Sequence, residues 1–282
     1  MNLKELINMS KSKKLTAEEY EHMKADRYNA SEGELNADGY DCRLCKNKGF
    51  IAEVQYQDYS QCYDTVYVDC KCRKIHSALR RLHNSGLKDV VKSYALDTYA
   101  ATEEWQRQMK DTAQKFLRDS SSNHWLFMGG QSGSGKTHLC TAVAIKYIRE
   151  GYDVRYMLWL DEVNKIKAVI KENQEYYKAM KELKEAQVLY IDDLFKNGKD
   201  ENGQVKAPTA ADIKIAFEIL NYRYNRADLI TIISSERSLQ ELCDIDSALG
   251  GRIAERTKKG DYCVVIKKDI NRNYRLKGIK EI

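Results

Sequence analysis

The stretch that decides the fold is residues 125–137, which read WLFMGGQSGSGKT. An apolar run, expected to form a buried strand, ends in a loop of glycine and serine, and a helical pattern begins where the loop ends. Gly130, Gly135, Lys136 and Thr137 fit the spacing G-x-x-x-x-G-K-[ST]. A loop of this composition between a strand and a helix predicts a phosphate-binding site.

The residue types in this loop suit the chemistry of a triphosphate. Glycines, with Gly133 between the two fixed ones, let backbone N–H groups turn inward around phosphate oxygens. The first turn of the helix adds unpaired N–H donors and the positive end of its dipole. The Lys136 ammonium can reach the β- and γ-phosphates, and the Thr137 hydroxyl can ligate Mg²⁺. The alternative is a loop that binds nothing.

A second apolar stretch ends in two acidic residues. Residues 188–193 read VLYIDD, and a parallel strand of this kind would place Asp192 and Asp193 at the carboxyl edge of a sheet, beside the phosphate loop. Asp192 can hold Mg²⁺ through water, and Asp193 can orient and polarise an attacking water. The alternative is an ordinary strand end at the surface. Alternating strands and helices predict an α/β fold, a parallel sheet with helices on both faces.

Four cysteines in the N-terminal part are spaced like metal ligands. Cys42 and Cys45 precede two strand-like segments, and Cys70 and Cys72 follow them. A hairpin with two thiolates at each base suits tetrahedral Zn²⁺. The metal would stabilise a module that is too small to fold alone.

Other assignments of these cysteines stay open. The second pair has the less usual spacing C-x-C, so Cys62 and His76 are spare candidates for the fourth ligand. The thiols could instead be free and packed as small apolar groups, or have a redox role.

The composition bounds the class of protein. The chain has 282 residues, 32% charged side chains and a formal net charge of +5, which permits contact with nucleic acid without requiring it. Its apolar runs are too short for a membrane span, and its N-terminus lacks the apolar core of a signal peptide. We therefore expect a cytoplasmic protein whose eight cysteines are not in disulfides. The lysine-rich segment 161–185 is either a solvated surface or the side of a nucleic-acid path.

Several motifs together resemble those of the DnaC/DnaI-type helicase loaders. These are AAA+ ATPases related to DnaA and to the transposition helper IstB. The resemblance covers about residues 100–276 and is closest to loaders of phages and Gram-positive mobile elements. It is carried by GGRIAER at 250–256, KTHL at 136–139, IDDL at 191–194, NYRY at 221–224 and NYRL at 273–276.

The resemblance implies ATP as the nucleotide. Lys136 and Thr137, with the adjoining His138, match the Walker A motif, and the two aspartates match Walker B. Arg275 resembles the late sensor arginine that contacts the nucleotide. The chain ends soon after the last motif, so we expect an ATPase domain without a full helical lid.

The resemblance also implies a sensing residue and an arginine that acts on a neighbouring subunit. Relatives carry Thr-Ser-Asn where this chain has Ser234, Ser235 and Glu236, and Ser235 is the predicted sensor 1. Arg256 matches the arginine finger, whose guanidinium would neutralise the γ-phosphate held by the next subunit. Arg252 is the alternative finger.

These expectations combine into one functional prediction. The chain would use ATP to place a DnaB-like hexameric helicase on single-stranded DNA during replication initiation. It would contact the helicase through the zinc module and self-associate through its ATPase domains. The predicted parts are an N-terminal helix and loop at 1–40, a zinc hairpin at 41–75, a linker at 76–100 and the ATPase domain at 101–282.

Three other functions share some of these features. An IstB-like ATPase that activates a transposase would have the same ATPase core. A zinc-dependent DNA-binding module could use its nucleotide site as a passive switch. A small-molecule kinase is disfavoured, because no acceptor site or lid is visible in the sequence.

Overall fold

The computed structural model describes residues 15–83, 93–119, 124–198, 201 and 206–276. The chain divides into two compact units, Met1–His76 and Ser77–Ile282. Residues 1–14 of the predicted N-terminal segment and 84–92 of the predicted linker lie outside the described residues. Among the helices described, none is both long and apolar enough to cross a membrane.

The first unit is a helix packed on a two-stranded hairpin. Helix α1 (Ala17–Ala30) begins with a capping box, in which the Thr16 hydroxyl accepts from the Glu19 N–H and the Glu19 carboxylate accepts from the Thr16 N–H. The antiparallel strands are β1 (Phe50–Gln57) and β2 (Cys62–Asp69).

The helix is fastened to the hairpin by side-chain hydrogen bonds. The Asn29 amide pairs with both the carbonyl and the N–H of Ala52, at 2.9 and 3.0 Å. On the other strand, the Thr65 N–H donates to the Glu21 carboxylate at 2.9 Å. The helix therefore belongs to the same compact unit as the cysteine hairpin. A further helix, α2 (Cys72–Leu82), begins at the last of the four cysteines.

The second unit is built on a five-stranded parallel sheet with the strand order β4-β5-β6-β3-β7. Its strands are β3 (Trp125–Gly130), β4 (Val154–Leu158), β5 (Val188–Asp192), β6 (Ile230–Ser234) and β7 (Cys263–Ile266). Its helices are α3 (Glu104–Arg118), α4 (Lys136–Arg149), α5 (Trp159–Ala168), α6 (Asn173–Glu185), α7 (Ala210–Tyr224), α8 (Leu239–Ile245) and α9 (Ser247–Arg256).

Helices cover both faces of the sheet. Alternate residues of its central strands point to opposite sides, so each face presents apolar side chains. Phe127 and Ile191 share one apolar cluster with residues of helices α5 to α9. Their strand neighbours Met128 and Tyr190 are also fully buried and point to the opposite face, where α4 packs on β3, β5 and β6. The predicted α/β fold with a parallel sheet is confirmed.

A buried arginine joins three elements of this unit. Arg223, at the end of α7, is fully buried, and its guanidinium donates to the carbonyls of Lys184 at 3.0 Å and Ala186 at 2.8 Å, where α6 ends. It also donates to the Ile230 carbonyl and to the Thr231 hydroxyl on β6. Burial lowers its pKa to about 9. This residue of the NYRY motif therefore has a structural role, satisfying the carbonyls at a helix end.

Candidate nucleotide site and cysteine cluster

A cavity of about 330 Å³ lies at the carboxyl edge of the sheet, where β3 and β5 end. It brings together seven of the residues predicted for the nucleotide site: Gly133, Gly135, Lys136, Thr137, His138, Asp193 and Arg275. It is also lined by residues that the sequence did not single out for this site: Tyr94, Thr98, Tyr99, Ala100, Gln106, Ser132, Ser134, Lys196, Glu236 and Tyr274.

The phosphate loop needs glycine at two positions, where φ is positive and a side chain would meet a different neighbour at each. Gly130 has φ +98°, and a Cβ there would lie 2.0 Å from the Ile266 carbonyl oxygen on the neighbouring strand. Gly133 has φ +73°, and a Cβ there would lie 1.9 Å from Oδ1 of Asn273. The chain near Asn273 is itself held to the loop, because the Tyr274 N–H donates to the Gly133 carbonyl at 2.9 Å. The turn that carries Arg275 thus lies against the phosphate loop.

The Lys136 ammonium is buried inside the loop. It donates to the carbonyls of Gly130 at 2.9 Å and Gln131 at 2.7 Å. Burial lowers its pKa, and the charges of Asp193 and Glu236 oppose that shift. A phosphate would offer the same ammonium a charged acceptor in place of two neutral carbonyls.

Asp192 is held by hydroxyl groups from three directions. Its Oδ1 accepts from Thr137 at 3.2 Å and from Ser234, and its Oδ2 accepts from Tyr156 at 3.1 Å. Asp192 is 3% exposed, and burial raises its pKa despite the hydrogen bonds from Ser234 and Tyr156. The Tyr156 contact exists because β4 pairs with β5, a strand order that the sequence does not reveal.

Asp193 follows the end of β5 in a left-handed conformation, with φ +59°. Its N–H donates to the Ser234 hydroxyl at 2.9 Å, and its carboxylate forms an ion pair with Lys196 at 2.8 Å. Lys196 also pairs with Glu236 at 3.0 Å. Burial alone would lower the pKa of Lys196, but its two carboxylate partners raise it.

The structure does not bring Ser235, the predicted sensor, to the phosphate site. The Ser235 hydroxyl donates to the Leu194 carbonyl at 2.8 Å and accepts from the Arg237 N–H at 3.1 Å, and Ser235 is not among the described residues that line the cavity. Ser234 instead contacts both acidic residues. The difference arises because successive residues of a strand point to opposite sides.

The end of the cavity away from the acidic residues is aromatic. The ring of His138 stacks on that of Tyr94, with centroids 4.2 Å apart and planes 6° apart. The Tyr99 ring meets His138 edge-on at 5.3 Å, and its hydroxyl donates to the Ser134 carbonyl at 3.3 Å. Burial lowers the pKa of His138, which favours the neutral ring. Tyr94 and Tyr99 fall in the segment predicted as a linker, although both line this cavity.

The two candidate finger arginines lie on α9. The Arg256 guanidinium lies 4.7 Å from the centroid of the Tyr224 ring and donates to the Tyr224 carbonyl. The Arg252 guanidinium lies 4.8 Å from the Phe217 ring and 5.4 Å from the Tyr224 ring. Neither arginine is among the described residues that line the nucleotide cavity.

Lysines of the segment 161–185 form ion pairs, both within the segment and with helix α7. Lys167 pairs with Asp212 at 2.5 Å, and Lys184 pairs with Glu218 at 2.6 Å. Lys165 and Lys181 pair with glutamates on their own helices. These pairs favour the alternative of a solvated surface over a dedicated nucleic-acid path.

The four predicted cysteine ligands form one buried cluster. The Sγ atoms of Cys42, Cys45, Cys70 and Cys72 all lie within 4.8 Å of one another. The separation of Cys42 from Cys70 is 3.8 Å, and that of Cys45 from Cys72 is 3.4 Å. A tetrahedral zinc with bonds of about 2.3 Å separates its sulfurs by about 3.8 Å, so the cluster fits the metal.

The spare candidates lie apart from the cluster. Cys62 pairs with Gln57 at the far end of the hairpin, and the His76 ring lies 2.7 Å from the Asp38 carboxylate. Within the described residues, the metal-competent group contains the four cysteines alone.

The parallel sheet, the glycine loop closed by Lys136 and the paired acids define a P-loop ATPase of the AAA+ class. Residues 53–278 match the family described as "IstB-like ATP binding protein", and the chain belongs to that family. The match confirms the relationship predicted from the motifs.

Two relatives come from Bacillus subtilis (strain 168). The phage-like element PBSX protein XkdC is 32% identical over 259 residues, covering 88% of this chain and 90% of that protein. YqaM is 31% identical over 228 residues, covering 77% of this chain and 69% of that protein.

Among solved structures, a DNA replication initiation factor matches with a TM-score of 0.50 and 19% identity. The match covers 66% of this chain and 52% of that one, so this chain spans about half of its length. The crystal structure of DnaI matches with a TM-score of 0.49 and 19% identity, covering 64% of this chain and 93% of that one.

Proposed function

We propose that this chain is an ATP-dependent loader that places a hexameric replicative helicase on single-stranded DNA. The observation that carries the nucleotide chemistry is the approach of Thr137 to Asp192, 3.2 Å apart beside the Lys136 loop. A hydroxyl and a carboxylate are the oxygen ligands that Mg²⁺ prefers beside phosphates. These two residues would hold Mg²⁺, which would neutralise phosphate charge when bound.

The other residues of the cavity divide the remaining tasks. The loop N–H groups and the Lys136 ammonium bind the β- and γ-phosphates. The Asp193 carboxylate orients a water for attack on the γ-phosphate. The flat rings of Tyr94 and His138 offer a surface for the adenine base, because aromatic planes stack favourably.

Hydrolysis requires a second copy of the chain in this proposal. Arg256 lies outside the cavity of its own subunit, so its guanidinium acts on the γ-phosphate held by a neighbour. Stacking on Tyr224 restricts the arginine, which reduces the entropy lost when it docks. ATP-bound subunits would then assemble, and hydrolysis would release them.

The cysteine hairpin would bind Zn²⁺ and provide the contact with the helicase. The fold of the hairpin supports the metal assignment, because it brings the cysteine pair before β1 next to the cysteine pair after β2. The helicase and the single-stranded DNA are proposed from the resemblance to helicase loaders. Arg275, on the turn beside the phosphate loop, would contact the nucleotide.

A second candidate function is that of an ATPase that assists a transposase, and the family match favours it. A pull-down of the host replicative helicase by the purified chain, with and without ATP, separates the two. The loader retains the helicase in an ATP-dependent way, and the Lys136→Ala variant loses that ATP dependence. Retention of a transposase but not of the helicase would reject the loader in favour of the second candidate.

A further inference from the structure

Three charged side chains form a bridge of ion pairs at the phosphate end of the cavity. The Lys196 ammonium contacts Asp193 at 2.8 Å and Glu236 at 3.0 Å. Glu236 lines the cavity together with Ser132 of the phosphate loop. The bridge therefore connects the acidic residue that follows β5 to the residue that follows Ser235 after β6.

The bridge is also a shared wall between two cavities. Ser132, Lys196 and Glu236 line both the nucleotide cavity and a second cavity of about 270 Å³, which is further lined by Phe195, Arg237 and Lys268. A change in these side chains would therefore alter the lining of both cavities.

The charges in the bridge make Lys196 necessary beside a triphosphate. Asp193 and Glu236 are two carboxylates in the cavity that also receives the phosphates. Carboxylates that face a phosphate without a cation repel it. Burial works to raise the pKa of Glu236, but its contacts with Ser132 and Lys196 lower it, so Glu236 remains charged at neutral pH.

The ammonium has the donors to serve a phosphate as well as both acids. It carries three N–H donors, and the two carboxylates take two of them, which leaves one for a phosphate oxygen. Lys136 enters from inside the loop, whereas Lys196 stands on the side of the attacking-water residue Asp193.

We propose that Lys196 and Glu236 act as one unit that makes the site prefer ATP over ADP. Glu236 anchors Lys196, and Lys196 neutralises both carboxylates and donates to the γ-phosphate. Glu236 is a positioning residue, because it acts through Lys196, whereas Lys196 contacts the γ-phosphate itself. This inference rests on the proposed nucleotide site and adds the way in which that site distinguishes the third phosphate.

A double-mutant cycle tests the unit, with binding of ATP and of ADP measured by titration in the presence of Mg²⁺. Lys196→Met is expected to weaken ATP binding by about tenfold and ADP binding by less than about threefold, because two uncompensated carboxylates then face the γ-phosphate. Adding Glu236→Gln removes one of them, so the double variant is expected to bind ATP at least about threefold more tightly than Lys196→Met. Lys196→Arg keeps the charge and is expected to retain the preference for ATP.

Controls separate this inference from folding and from the proposed function. Lys165→Met removes another lysine that pairs with an acid three residues away, and it is expected to change neither affinity. Thermal unfolding shows whether each variant is folded. If Lys196→Met is unfolded, the comparison of ATP and ADP binding by Lys196→Arg provides the test, and loss of the preference for ATP in that variant would count against the inference.

Equal weakening of ATP and ADP, or a double variant no better than Lys196→Met, would overturn the inference while the nucleotide site stood. Failure of the unaltered chain to bind ATP would overturn the proposed function itself.

Discussion

Tyr156 offers a test of how the magnesium-binding acid is held. Its hydroxyl donates to Oδ2 of Asp192 at 3.1 Å, and Asp192 is 3% exposed. Removing the hydroxyl in Tyr156→Phe leaves a buried carboxylate oxygen with one donor fewer and little access to water. A hydrogen bond to a charged group contributes about 1.5–3 kcal/mol, so we expect a loss of about 2 kcal/mol in the free energy of unfolding at neutral pH.

The loss should depend on pH in a defined direction. The folded-state pKa of Asp192 is raised by burial, so the folded chain holds this proton more tightly than the unfolded chain. Stability therefore decreases as pH rises through that pKa. Tyr156→Phe raises the pKa further, because it removes a donor to the charged carboxylate, so its penalty is largest where Asp192 is charged. The penalty should decrease toward the ~1 kcal/mol of a neutral hydrogen bond as acid protonates Asp192.

Urea unfolding at a series of pH values measures both effects. Tyr152→Phe is the matched control, because Tyr152 is 40% exposed and lies in the loop before β4. We expect it to change the free energy of unfolding by less than about 0.5 kcal/mol. A loss for Tyr156→Phe that is equally small, or that stays constant with pH, would refute the idea that this hydroxyl stabilises a buried charge.

Three further predictions concern the arginines and the cysteines. Arg256→Ala should lose ATPase activity while retaining ATP binding. Mixing this variant with Lys136→Ala should restore activity, because the Lys136→Ala chain supplies the missing guanidinium. A normal ATPase rate for Arg256→Ala alone would contradict action in trans. Metal analysis should find one zinc per chain, lost in Cys70→Ser and kept in Cys62→Ser; zinc absent from the unaltered chain would contradict the site. Arg223→Met should lower the free energy of unfolding, measured by thermal or urea unfolding, by about 3 kcal/mol or more, because several buried carbonyls lose their donor. A loss below about 1 kcal/mol would contradict the structural role of that guanidinium.

The parts of the fold that depend on local pattern could be predicted from the sequence. The phosphate-binding loop between β3 and α4 could be predicted, because glycines and a lysine at that spacing between a strand and a helix are typical of such loops. The apolar run that ends at Asp192 implied a buried parallel strand and therefore its edge of the sheet. The four cysteines implied their cluster, because two pairs at the bases of one hairpin must meet.

The parts that depend on tertiary arrangement could not be predicted. Tyr156 reaches Asp192 only because β4 pairs with β5, and strand order is not written in local pattern. Tyr94 lies in a short stretch that carries no recognised motif, so its place beside His138 could not be predicted. The directions of the Ser234 and Ser235 side chains could not be predicted either, because adjacent hydroxyls at a strand end look alike in sequence. Lys196 was passed over because a lone lysine after a strand resembles any surface lysine.

The most direct test of the central claim is a titration of the purified chain with ATP in the presence of magnesium. We expect saturable binding that Lys136→Ala abolishes and that removal of magnesium weakens, because the loop ammonium binds the triphosphate directly and the Thr137–Asp192 pair binds it through Mg²⁺. Absence of binding by the unaltered chain, or binding that Lys136→Ala leaves unchanged, would contradict the account.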